Sequence, residues 1–545
     1  TPKPSSAASD VYKRQAQRTP ALEGKNVFQG GRFCSRARDG ERTRVGGEGQ
    51  DVRPLVLPKR EEALAAERAG DVERAATKRR LERPERVGGG GHEVNAGFAT
   101  HGNHAPHPKL CTMTYRPKFH LSPPQGRLND PNGLTLIGDE LHVFYQHDPA
   151  FPHGRRRTGW GHAVTRLGSG EYYHLPDALY PDFPYDADGC FSGSSVVHDG
   201  RMRLFYTGNL DADAEHEHRT SQNVVEVEDI QGPLGGTYLR RADNPIINGF
   251  PEGFTSDFRD PYVTQAPDGS WRMLIGARSE SNTGAVVVYT SDDLESWEYA
   301  GPIEFVGLDY NTASAHMWEC PNLVRMTDQS TDEELDVLVF CPQFADSDEC
   351  GYVVGRLEGL RFEVITGFTP LDYGHQFYAP QLINFGPGAL MLGWMGLPAR
   401  DDTPTLAAEG WVHQLTLPRE LSLIDATVHT TLRLPHNEDE MVMWRSELGA
   451  EPRAAELVDV DGNVGATIAW APHPAETTGA VRGTLSVTVD GFMRWADCAA
   501  GELVCTADGA ALEVTGGGGE VAFSSAVFAP DANEWAGFRA GESAM

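Results

Sequence analysis

The chain has 545 residues, 39% of them apolar, and 60 glycines; this balance is normal for globular proteins and excludes wholesale disorder. Its 47 basic and 78 acidic side chains give a formal net charge of −31, which argues against nucleic-acid or membrane-surface partners and leaves neutral sugars open. No run approaches the roughly 18 apolar residues of a membrane span, and eight cysteines without a C-x-x-C pair fit neither a disulfide scaffold nor a zinc ribbon.

Composition then divides the chain. Residues 1–112 carry 21 basic and 14 acidic side chains, while the remainder carries 26 and 64. Six of the seven lysines precede Met113. The leader has Gly88–Gly91, one charged helix-like stretch at Arg60–Arg86, and no apolar signal-peptide core. We expect a disordered or non-native leader with the protein proper starting at Met113, the rival being a basic tail that recruits a partner. Without a signal peptide the chain is expected to be soluble and cytoplasmic.

From Tyr115 short apolar and aromatic runs follow tight turns. Gly138-Asp139 precedes Leu141–Tyr145, Asp199-Gly200 precedes Met202–Tyr206, and Asp268-Gly269 precedes Trp271–Ile275. A looser case is Gly386-Pro387-Gly388 before Ala389–Trp394. Each is a hairpin signal, and the spacing of about 60–70 residues suits propeller blades around a central channel. A β-sandwich with long loops is the rival. Beyond Leu434 the runs at Val458–Trp470, Thr484–Val489, Leu503–Thr506 and Val521–Val527 predict a separate antiparallel sandwich. The expected divisions are 113–417 for the propeller, 418–435 for a linker and 436–545 for the sandwich.

Three carboxylates have unusual neighbours. Asp130 lies in Asn129-Asp130-Pro131-Asn132-Gly133 and Asp260 in Phe258-Arg259-Asp260-Pro261. Proline pushes the residue before it toward extended backbone, which would aim each aspartate in a fixed direction; an Asp before Pro is also a common turn former. Glu319, in Trp318-Glu319-Cys320-Pro321, has apolar neighbours that would raise its pKa, or else it pairs with an arginine. One carboxylate nucleophile and one carboxylic acid held protonated are what glycoside hydrolysis needs, and Asp130 and Glu319 suit those roles. The residues alone point to a carboxylate-based propeller hydrolase acting on sugar.

These motifs, with Phe191-Ser192-Gly193-Ser194, Leu371–Gly374, Phe377–Gln381, Gly393–Gly396 and Leu417–Leu423, resemble in order and spacing the signatures of glycoside hydrolase family 32, the invertases and β-fructofuranosidases. The resemblance implies an all-β chain, a five-bladed propeller followed by a β-sandwich. It also implies a retaining double displacement with no cofactor, releasing fructose from sucrose and short fructo-oligosaccharides. Asp130 would be the nucleophile, Glu319 the acid and base, and Asp260 the transition-state stabiliser. Substrate contacts would fall on Asn129, Gln146, Trp160, Phe191, Ser192, Arg259, Asp372 and Trp394, although either tryptophan could equally be a core aromatic.

Many family members have Trp-Met before Asn-Asp-Pro, whereas this chain has Gly126-Arg127-Leu128. That form, with Thr158–His162, looks most like intracellular actinobacterial (bifidobacterial-type) β-fructofuranosidases. Arg127 would contact substrate or a neighbouring acidic side chain. The histidines at 147, 162, 316, 375 and 413 have no metal-ligand spacing, so no metal is expected. Cys320 reads as a polar neighbour tuning Glu319. Sucrose 6-phosphate would need a basic cluster, for which Arg127 and Arg155–Arg157 are the main candidates. Fructosyl transfer, fructan hydrolysis and a non-catalytic sugar-binding propeller are the remaining alternatives. The sandwich could bind sugar, make a homo-oligomer or cover one propeller face.

Overall fold

The computed structural model describes residues 114–213, 216–308, 315–345, 347–474, 479 and 481–541; the leader expected over 1–112 lies outside them. Among the described residues strand dominates, and the one α-helix is the short Pro404–Glu409.

Five sheets, each built on four antiparallel strands, follow one another along the chain, as expected for a propeller. Their first strands are Gly126–Ile137, Gly189–His198, Phe254–Gln265, Met317–Thr327 and Tyr378–Phe385. Each first strand packs against the next, and the fifth against the first, so they form the inner ring. The Asp-Gly turns act as the sequence suggests: Asp199 and Gly200 both have positive φ, 49° and 72°, as a two-residue hairpin turn demands. The second strands are apolar without alternation because both faces are covered. In Arg201–Leu210, Leu204 and Tyr206 pack with Phe144 and Trp160 of blade 1, while Phe205 packs with Phe258 and Met273 of blade 3. Each such side chain contributes about 1.5–3 kcal/mol of burial. The ring is closed by Trp411–Val412, which pairs parallel with Gly126 and Arg127.

One expected boundary is wrong. The segment 418–435, read as a linker, supplies Arg419–Ile424 and Thr427–Leu432, the two outer strands of blade 5. They follow the inner pair only after the excursion over 396–418, which breaks the hairpin rhythm visible in the first four blades.

Two further sheets, one of four strands and one of five, lie between Val442 and Ala540 and form the sandwich. Leu457, Ile468 and Val487 of one sheet meet Leu503, Val514 and Phe523 of the other. The sandwich is fastened to the propeller by buried charge. Arg419 of blade 5 donates to Asp372 Oδ2 at 2.8 Å and to Glu513 Oε2 at 2.8 Å. His120 bridges Asp508 (2.8 Å) and Glu513 (3.0 Å). Arg419, Asp372, Glu513 and His120 have no exposed side-chain surface.

Burial pulls the His120 pKa down, but the hydrogen bonds and charges of Asp508 and Glu513 outweigh it and raise it to about 9. The stability this supplies is complete below the unfolded histidine value near 6.5 and is lost as pH rises through 9. The thermal midpoint is therefore expected to decline between pH 7 and 9. Glu513→Gln should flatten that decline and, by breaking a buried ion pair, cost about 3–5 kcal/mol at pH 6.5 in urea unfolding.

Candidate active site

The five inner strands share a local defect. Their pairing with the second strands shifts register at Leu128/Pro131, Cys190/Gly193, Arg259/Tyr262, Glu319/Asn322 and Tyr378/Gln381. In every case two residues face one, which is a β-bulge that bends the strand and re-aims its side chains. Asp260, Cys320 and Ala379 sit in these bulges, each before a proline, with φ of 67°, 48° and 45°. The extended backbone expected for Asp260 is thus replaced by a left-handed one, because the bulge overrides the ordinary effect of a following proline.

The bulges bring together the three carboxylates. Asp130 Oδ1 accepts from Asn129 Nδ2 at 3.0 Å, and Oδ2 accepts from the Ser192 hydroxyl. Gln146 lies opposite the first bulge, with its Oε1 receiving Asn129 Nδ2 and its Nε2 donating to Ser192 Oγ at 2.9 Å. Asp260 Oδ2 accepts the Cys320 backbone N–H at 3.0 Å. The Cys320 thiol reaches Asp130 Oδ2 (3.7 Å) and Asp260 Oδ2 (3.6 Å), so the cysteine bridges the two aspartates instead of serving Glu319. Glu319 takes the arginine alternative: Arg259 Nη2 donates to its Oε1 at 2.7 Å, and the Tyr378 hydroxyl to its Oε2 at 2.7 Å.

Burial sets the proton affinities here. It raises the Asp130 carboxyl against the opposing hydrogen bonds of Ser192 and Asn129, with Glu319 adding to the rise and Arg127 opposing it. Burial likewise pushes Asp260 up to about 7 against Arg259, with Glu319 and Asp130 adding to the rise. Two carboxyls that resist ionisation thus lie beside a third that is paired with a guanidinium. Among the described residues no His, Cys, Asp and Glu cluster is arranged to hold a metal.

Residues 120–434 match the family described as Glycosyl hydrolases family 32 N-terminal domain. The chain belongs to this family. Among curated relatives it is 36% identical over 321 residues to a sucrose-6-phosphate hydrolase of Bacillus subtilis, covering 57% of this chain and 63% of that one. It is also 36% identical over 319 residues to a raffinose invertase of Escherichia coli, covering 56% and 62%. The match thus spans less than two thirds of either relative's length. Among solved structures it resembles a GH32 β-fructofuranosidase of Bombyx mori in complex with sucrose, with 26% identity and a TM-score of 0.62 over 77% of this chain and 90% of that one.

Of the family positions expected from the sequence, Asn129, Gln146, Ser192 and Arg259 join Asp130, Asp260 and Glu319. Phe191 is part-exposed in the second bulge. The structure places the remaining three in buried surroundings. Trp160 is fully buried, packs on Phe144 and Tyr206, and donates to the Phe191 carbonyl at 3.0 Å, so it props the bulge from behind. Trp394 is buried beneath the Arg127 guanidinium, 5.3 Å from its ring. Asp372 is outside the site, committed to Arg419 and to the backbone N–H and hydroxyl of Ser524, each at 2.8 Å. Sequence reasoning missed Tyr378, although Ala379-Pro380 beside it repeats the X-Pro pattern of the other bulges.

Crowding three carboxyls stores repulsion in the fold. Asp260→Asn keeps the size and an acceptor for the Cys320 N–H while removing one charge. It is expected to raise stability by about 1 kcal/mol in urea unfolding while lowering activity.

Proposed function

We propose that this chain is a retaining β-fructofuranosidase of the bifidobacterial type, releasing terminal β-D-fructofuranosyl units from sucrose and short fructo-oligosaccharides in the cytoplasm. Asp130 is the nucleophile. Its two oxygens are held by Asn129 and Ser192, which orient the carboxylate for attack on C2 of the fructosyl unit. Glu319 gives its proton to the leaving glycosidic oxygen, and Arg259 and Tyr378 hold the carboxylate that remains. The same carboxylate then takes a proton from water as that water attacks the fructosyl–Asp130 ester. Asp260, with the Cys320 N–H on one oxygen, has its other oxygen for fructosyl hydroxyls in the oxocarbenium-like transition state. The observation that carries this reading is the convergence of Asp130, Asp260 and Glu319, each with its own hydrogen-bond partners, within one ring of bulges.

The pairing of the candidate arginines favours a neutral sugar. Sucrose 6-phosphate needs available cations, but Arg127 pairs with Asp401 at 2.7 Å, Arg155 with Asp188, and Arg157 with Asp182 at 3.6 Å, while Arg156 Nε donates to Thr158 Oγ1 at 3.1 Å. Arg127, the buried one of these, is committed to a carboxylate of the chain itself, which leaves it little to attract a phosphate dianion. The phosphorylated substrate is kept as the second reading because the name of the Bacillus subtilis relative carries it.

The full chain is expected to release glucose and fructose from sucrose, with a higher kcat/KM than on sucrose 6-phosphate. Asp130→Asn should lower kcat by about a thousandfold or more with the thermal midpoint unchanged. Near-normal turnover by that variant would overturn the nucleophile assignment. A preference for the phosphate ester would replace the first substrate with the second.

A further inference from the structure

Arg127 precedes Asp130 by three residues and is almost fully buried. Its Nε donates to Asp401 Oδ1 at 2.7 Å, its Nη1 donates to Asn129 Oδ1 at 2.5 Å, and its plane covers the Trp394 ring. Asp401 belongs to the excursion after the second strand of blade 5, so the guanidinium spans the seam where the ring closes.

A side-chain amide can sit either way round, and only its neighbours decide which end is donor and which acceptor. Asn129 faces three groups: Arg127, Asp130 and Gln146. Arginine has donors and no acceptor, so it fixes Asn129 Oδ1 toward itself and leaves Nδ2 for Asp130 Oδ1 and Gln146 Oε1. Gln146 is thereby turned with Nε2 toward Ser192 Oγ. The serine oxygen is then occupied as acceptor, and its proton goes to Asp130 Oδ2. The donor-only guanidinium on one side and the acceptor-only carboxylate on the other thus agree on one direction for every hydrogen bond in a closed ring. Reversing Asn129 would present an oxygen to the carboxylate and free Gln146 to reverse as well.

We infer that Arg127 is a positioning residue that sets the polarity of the hydrogen-bond ring Asn129–Gln146–Ser192 and so keeps two donors on Asp130. This rests on the reading of Asp130 as nucleophile. The charged and titratable groups facing Asp130 are Arg127 from its own strand, Asp260 from blade 3, and Glu319 and the Cys320 thiol from blade 4. Those facing Arg127 are Asp401 and His413. Arg127 is the cation that opposes the raised pKa of Asp130. Loss of the cation and of the ring's direction act with one sign: both make the carboxylate harder to ionise.

The test is the pH profile of sucrose hydrolysis by the full chain. Arg127→Met is expected to lower kcat about tenfold or more, leave KM within about threefold, and move the acid limb of kcat/KM up by about half to one pH unit. Arg127→Lys, again donor-only and charged, should return the limb to within about 0.3 of wild type. If Arg127→Met does not fold, Arg127→Gln, which is neutral and can present either amide end, carries the same expectation. An unmoved acid limb in the neutral variant, or a raised KM with kcat intact, overturns the inference and makes Arg127 structural or a substrate contact. Asp130→Asn is run in the same buffers. If it is inactive while the neutral variant's limb stays put, the inference alone falls. If it still turns over, the nucleophile reading falls and takes the inference with it.

Discussion

A bulge at one level of all five inner strands is the constraint on which the site depends. Two residues facing one leave backbone groups without ladder partners, and buried backbone groups must find others. They find them across blade boundaries. The Asp260 N–H donates to Thr207 Oγ1 of blade 2 and the Cys320 N–H to Asp260 of blade 3. The Gly193 N–H donates to Asn132 of blade 1, and the Leu382 N–H to Asn322 of blade 4. The defect that aims the side chains therefore also stitches each blade to its neighbour. A chain that repaired its ladders would lose the pocket and these stitches together.

The same geometry explains where energy is stored. Left-handed backbone at Asp260, Cys320 and Ala379 costs of order 1–3 kcal/mol each, and it persists because packing and hydrogen bonds over-determine those positions. Three neighbouring carboxyls add repulsion, which Arg259 offsets mainly at Glu319. The result is a set of acids whose differences come from neighbours instead of from residue type. Asp130 and Asp260 are chemically identical and both raised by burial, but Asp130 is met by an amide and a hydroxyl while Asp260 is met by a backbone N–H.

Much of this was legible in the sequence, in proportion to how local its cause is. Asp-Gly turns and apolar runs announce hairpins because turn chemistry and strand burial act over a few residues. The carboxylates stood out because proline marks the bulges. What escaped reading depends on residues far apart. Which arginine would pair with Glu319 was hidden because Arg259 is 60 positions away, and the fate of Asp372 was decided by Arg419 and Ser524. The outer strands of blade 5 were misread as a linker because an intervening excursion hid their partner. Trp160 had the composition of a sugar platform and the position of a core residue, and only its neighbours distinguish the two.

The buried charges between propeller and sandwich carry a consequence for inheritance. Aliphatic surfaces tolerate exchange, since any oily face of similar shape will serve. Arg419 has one seating, defined by a propeller carboxylate and a sandwich carboxylate at once. A foreign sandwich grafted onto this propeller would strand a guanidinium and a histidine in a dry interior unless it brought counterparts of Glu513 and Asp508. The sandwich is therefore no interchangeable appendage. Recombination at the seam is penalised, and the two parts must drift as a single heritable unit.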